Sequence, residues 1–264
     1  MDTRINIDMD ITESANALLK SSAKSVGGVS STVIDFFHNT LLYPMQKYNI
    51  KVKTNLERYE KQLKKGLENI PKEYIAEPNM NIWGQAMESL RWNFDDGQKY
   101  IRDMFANLLL KDLDSRVKNK VLPAYIDIVK QLSEQDAVFL RDLCKQNRSN
   151  SISTIEFRWV KANGEYLKIP NERLILLTDL GKIMTPPPEV LDNLERLKII
   201  NIHSNEYLTK DRVKCENIFE GRKNRFPIPK GFEKTIFNQG KLDITEFGQG
   251  FIKICLYNRD KIVS

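Results

Sequence analysis

The chain has 264 residues, 41% of them hydrophobic and 29% charged, a balance that excludes overall disorder and supplies a core without disulfide or metal staples. Its three cysteines, Cys144, Cys215 and Cys255, lie far apart with no CxxC and no Cys/His cluster, which points to a reducing, cytoplasmic setting. The net charge of +6 is uneven: residues 1–130 hold 19 Lys/Arg against 17 Asp/Glu, whereas residues 201–241 hold 9 against 5, so much of the excess gathers in one short segment.

The N-terminus, MDTRINIDMDITES, is acidic and lacks the basic-then-apolar order of a secretory signal, and no apolar run reaches the roughly 18 residues that span a bilayer. Thr12 caps a first helical stretch carrying Ala15, Leu18 and Leu19, and Gly27-Gly28 interrupts it. A second stretch sets Val29, Val33, Phe36, Phe37, Thr40 and Leu41 at helical spacing before Pro44 ends it. Residues 1–48 thus read as an amphipathic helical hairpin, and the stripe of Val33, Phe36, Phe37 and Leu41 as core or an oligomer contact. It is longer than a hairpin buries alone, which motivates self-association; a membrane-surface role is disfavoured by Asp35 and by the scarcity of Lys on the polar side.

A charged helix follows from Val52 to about Glu68, with Glu57/Lys61 and Glu60/Lys64 in the favourable order and a buried side of Leu56, Tyr59, Leu63 and Leu67. Beyond Pro71 and Pro78, one stripe comprises Trp83, Met87, Leu90 and Phe94; Asp95 with Gln98 reads as a capping box for the next, Ile101, Met104, Phe105, Leu108 and Leu109. Pro123 fits the first turn of a helix carrying Leu122, Tyr125, Ile126, Val129 and Leu132. Residues 49–132 therefore read as a helical bundle.

From Ser133 the pattern changes. Ser133 with Asp136 starts a helix carrying Ala137, Leu140 and Leu143; then Ile155, Phe157 and Trp159 alternate with Glu156 and Arg158, and Asn163-Gly164 signals a hairpin into Tyr166–Ile169. A helix with Leu191, Leu194 and Leu197 runs into Ile199–Ile202, with a turn at Ser204-Asn205 and a return at Tyr207-Leu208; Leu242–Ile244 leads to a Thr245-capped helix carrying Phe251, Ile254 and Cys255. This order resembles a winged helix over residues 133–264, with a basic insertion at about 209–241. The expected fold class is mainly α (α+β): an N-terminal helical bundle followed by a winged-helix-like C-terminal domain with a small antiparallel β element.

The chemistry in these patterns is binding rather than catalysis. His38 and His203 stand alone, Asp95-Asp96 reads as a helix cap, and Gly27-Gly28 and Gly248-Gln249-Gly250 lack the surroundings of a phosphate loop, so no catalytic residue, no metal site, no cofactor and no enzyme is expected. The helix at Glu189–Arg196 is net acidic and ill suited to a DNA groove. Positive charge lies instead in Lys210, Arg212, Lys214, Arg222, Lys223 and Arg225, with Phe219 and Phe226 as possible stacking groups, a pattern suited to phosphate contact or, more plainly, to a solvated surface.

One stretch points beyond general chemistry. Ile70-Pro71, Glu77-Pro78, Glu88 with Leu90, Phe105-Ala106-Asn107-Leu108-Leu109, Leu122-Pro123-Ala124 and Gln131-Leu132-Ser133-Glu134 together resemble the abortive infection alpha family of bacterial proteins. The resemblance implies a role in defence against phage; its residues pack and start helices, and none is carried over as catalytic. Three functions are then open: a non-enzymatic sensor or effector that pairs with itself or with a phage or host protein, a nucleic-acid-binding winged-helix regulator, or a toxic effector that disturbs membranes through the N-terminal helices.

Overall fold

A computed structural model describes residues 50–92, 97–146, 149–177 and 182–256. The hairpin expected over 1–48, with Val33, Phe36, Phe37 and Leu41, lies outside them, as do His38 and Asp95-Asp96. Eight helices are described: α1 Ile50–Glu68, α2 Met80–Trp92, α3 Lys99–Asp112, α4 Ala124–Gln131, α5 Glu134–Gln146, α6 Pro188–Arg196, α7 Arg212–Arg222 and α8 Glu246–Cys255. The strands are β1 Ser151–Val160, β2 Tyr166–Leu177, β3 Lys182–Met184, β4 Ile200–His203 and β5 Lys234–Ile244. The described residues form two compact units, one running to Glu134 and resuming at Lys253, the other Gln135–Ile252.

In the first unit α3 packs against α1, α2 and α4. The expected stripe of Ile101, Met104, Phe105, Leu108 and Leu109 is buried, but so are Ala106, Asn107 and Leu110, so α3 is covered on all sides rather than along one face. Two of its buried polar residues are paired: Asn107 Nδ2 donates to the carbonyl of Cys255 at 2.8 Å, and Asp112 accepts the backbone N–H of Asn79 at 2.7 Å and the Trp83 indole N–H at 3.0 Å. Gln98 begins α3 without a side-chain cap bond. The Glu134 carboxylate takes that place, accepting the N–H groups of Tyr100 at 2.9 Å and Ile101 at 3.3 Å. On α1, Tyr59, Leu63 and Leu67 are buried as the periodicity predicts, and Glu60 pairs with Lys64 at 2.6 Å.

The second unit corrects the expected fold class. In place of a small β element it holds a five-stranded, wholly antiparallel sheet in the order β3-β2-β1-β5-β4. The fold is α+β, with β1 at the centre of long ladders, and not a mainly helical chain ending in a winged helix. A winged helix needs a helix pair between its first strand and its hairpin; here β2 and β3 fill that stretch and only α6 precedes β4. The return from β4 is not Tyr207-Leu208 but β5, whose Leu242 pairs with Ile202. Residues 209–241 are accordingly no loop insertion: they form a 3₁₀ turn, α7, a second 3₁₀ turn and most of β5.

Local signals placed the β1–β2 hairpin and the last helix correctly. Gly164 takes φ +86°, open only to residues that tolerate the left-handed region, and its N–H donates to Lys161 O at 3.0 Å. At α8 the Thr245 hydroxyl accepts the Gly248 N–H at 2.8 Å. The turn from α6 to β4 closes with Ile199 N–H on Leu194 O and Lys198 N–H on Glu195 O, both at 3.0 Å, a Schellman motif with Lys198 at φ +59°.

Candidate functional site

Successive side chains of a strand point to opposite faces, and on β1 one face carries Ile155, Phe157 and Trp159 while the other carries Glu156 and Arg158. Helix α7, with the 3₁₀ turns Thr209–Asp211 and Lys223–Arg225 at its ends, is fixed to the first of these faces. Cys215 is fully buried among Ile155, Phe157, Ile169, Leu174 and Leu176, with Ile218, Phe219 and Phe226 packed alongside. Phe219 lies 6.0 Å from Phe157 and 5.0 Å from Phe237, and Phe226 lies 5.0 Å from Phe157, ring centre to ring centre. At the helix start Asp211 is buried and accepts the Ser153 hydroxyl at 2.7 Å.

This anchoring turns the basic side chains of the segment outward. Lys210, Arg212, Lys214 and Arg225 are exposed, and Arg222 and Lys223 half-buried. The structure gathers Lys210, Arg212 and Lys214 at the start of α7 and Arg222, Lys223 and Arg225 at its end, separated by its eleven residues, about 16 Å. Glu216 pairs with Arg212 at 3.1 Å and Glu220 with Lys223 at 2.5 Å. Both are exposed pairs, which hold their partners by at most ~1 kcal/mol. Phe219 and Phe226, expected as stacking groups, are instead part of the aromatic layer beneath the helix. Cations in a first turn oppose the helix dipole, and α7 has no acidic residue there.

On the opposite face lies a cluster that periodicity did not single out. Glu156 is only 7% exposed, yet it accepts Arg158 at 2.7 Å, Arg173 at 2.7 Å and Lys168 at 3.0 Å. Burial alone would raise its carboxyl, but the hydrogen bonds from Arg173, Lys168 and Arg158 outweigh it and hold the group at about 2. A carboxylate fixed in this way does not exchange protons near neutrality. The cluster borders a pocket of about 190 Å³ that Asp192 of α6 and Glu172 also line. The only sequence signal for it was the Glu156–Arg158 alternation, since Arg173 comes from the other strand of the hairpin.

Among the described residues, other polar groups pair as follows. Asp243 accepts the Ser151 hydroxyl at 2.6 Å and stands 3.4 Å from His203 Nε2, so serine and histidine share one carboxylate and are not joined to each other as nucleophile and base must be. Lys241 bridges Glu206 and Asp243 at 2.8 and 3.0 Å. Burial pushes the Cys215 thiol to about 11 and raises that of Cys255, leaving neither as a ready thiolate. Among the described residues no group of three or more His, Cys, Asp or Glu is placed to hold a metal ion, and no helix is long and apolar enough to cross a membrane.

Fold and site define an α+β protein that displays a helix with basic residues clustered at both ends on an antiparallel sheet. The family model for abortive infection alpha matches residues 51–255, and the chain belongs to that family. Its role therefore falls in abortive infection, a form of defence against phage. No curated protein and no solved structure matches it significantly.

Proposed function

We propose that this abortive-infection protein acts without catalysis, as a sensor or effector that binds nucleic acid through the sugar-phosphate backbone, using Lys210, Arg212, Lys214, Arg222, Lys223 and Arg225 as its contact surface. The observation that carries the reading is the build of α7: its apolar side is sunk into the aromatic layer of the sheet, so its basic side chains are held on a firm support and face outward. Charge on such a support attracts polyanions with little loss of chain entropy. Base readout is not part of the proposal, because the outward middle of the helix carries Glu216 and Glu220. Without catalysis, the signal passes on as occupancy of this surface.

Replacing Arg222, Lys223 and Arg225 together by Glu tests the reading in a gel-shift titration with duplex and single-stranded DNA and RNA. None of the three side chains is fully buried, so the variant should fold as the parent does, checked by circular dichroism. Loss of binding with the fold retained is the expected result; unchanged affinity for every probe would remove α7 as the contact surface.

A further inference from the structure

A groove of about 580 Å³ opens beside the β1–β2 turn, lined by Lys161, Gly164, Glu165, Tyr166, Leu167 and Phe232, a size within the range of small-ligand sites. Its walls are apolar and aromatic. Leu167 faces Trp159 across the ladder, the Phe232 ring packs 6.3 Å from Trp159, and Tyr166 and Leu167 are 53% and 51% exposed. Lys161 Nζ lies 5.8 Å from the centre of the Phe232 ring; on the opposite face of the hairpin the Arg158 guanidinium lies 4.2 Å from the centre of the Tyr166 ring. Glu165, the one carboxylate in the lining, is occupied by Lys161 at 2.8 Å.

The groove is continuous with the surface assigned to α7. Phe157 and Trp159 are neighbours on one face of β1, about 7 Å apart. Phe226, next to the basic turn Lys223–Arg225, rests on Phe157, and Phe232 rests on Trp159. The chain from Arg225 to Phe232 thus runs along one aromatic layer, with basic residues at one end and the groove at the other. Behind Phe232, the Trp159 indole N–H and the Thr235 hydroxyl, opposite each other on β1 and β5, are buried without a hydrogen-bond partner, which is uncommon for buried polar groups. An apolar groove beside the Phe232 ring and Leu167, with Lys161 over that ring and the surface proposed on α7 alongside, suits a flat π-system carried on an anionic chain.

We propose that this groove takes an unpaired nucleobase, so that the protein prefers single-stranded nucleic acid whose phosphates lie on the basic end of α7. The inference rests on the backbone-binding reading above. Three labelled probes of one length separate the two in an anisotropy titration at fixed low salt: an oligothymidylate, the same phosphodiester strand without bases, and a duplex. The thymidylate should bind about tenfold tighter than the base-free strand, and Phe232→Ala should close that gap while leaving the affinity for the base-free strand unchanged. Should Phe232→Ala not fold, Leu167→Ser, at a half-exposed position, carries the same test. Equal affinity for base-bearing and base-free strands, a preference for duplex, or a gap that survives both substitutions would overturn the groove while leaving the α7 reading intact; no binding of any probe would overturn both.

Discussion

Glu156 and Asp112 are both buried acids, and their partners give them opposite behaviour. The Glu156 carboxyl is held at about 2 by three cationic donors, against roughly 4.3 in an unfolded chain. The folded state therefore favours the ionised form: the stabilisation is complete above the unfolded value and is lost as pH falls from about 4 towards 2. A depression of about two pH units corresponds to ~3 kcal/mol. Urea melts at pH 5 and pH 3 should show wild type losing clearly more stability than Glu156→Gln; equal losses would contradict the clamp. Burial instead raises the Asp112 carboxyl, against the hydrogen bonds from Asn79 and Trp83. Asp112→Ala leaves those two donors unpaired and should cost about 3 kcal/mol in the same assay, whereas Asp112→Asn, which keeps an acceptor, should cost less. Neither residue was legible in the sequence as a hub. Asp112 meets partners 29 and 33 positions away, and Glu156 meets Arg173 only because the hairpin folds back with a register shift between Glu156 and Arg158.

Among the elements, three local signals were read correctly, while the return expected at Tyr207-Leu208 was not. Asn163-Gly164 turns the hairpin, Pro123 precedes α4 and Thr245 caps α8, because turn and cap chemistry is contained within a few residues. The extents of β2 and β5 were not legible. Pro170 and the polar run Asn171–Arg173 break the alternation of β2, and the fold tolerates them because β3 pairs only with Ile175–Leu177, leaving that edge without a ladder to interrupt. The α8 start also relies on a close approach: a Cβ on Gly248 would stand 2.1 Å from the carbonyl oxygen of Ile199. Gly248→Ala should therefore displace the helix start and lower the melting temperature by several degrees. Lys198 offers the opposite case, since its left-handed backbone costs a lysine about 1 kcal/mol that glycine does not incur. Lys198→Gly should raise stability, and an unchanged or lower melting temperature would show that its side chain compensates.

For the whole molecule, the family was legible and the architecture was not. Short phrases such as Phe105–Leu109 sit in α3, the most enclosed helix of the first unit, so a family resemblance carried by packing residues is physically reasonable. The winged-helix reading failed because a helix followed by a strand and a capped helix is common to many folds. Which strands pair is decided by contacts spread along the chain, as between β1 and β5, whose partners lie 74 to 92 positions apart. The basic segment was found from charge alone, but its support could be seen only once Cys215, Phe219 and Phe226 were placed against Phe157. The salt dependence of nucleic-acid binding by the wild-type protein tests the phosphate contact most directly. Engagement of all six basic side chains predicts that affinity falls about a thousandfold between about 50 and 200 mM salt. Affinity that does not change with salt, or no binding at the lower concentration, would contradict it.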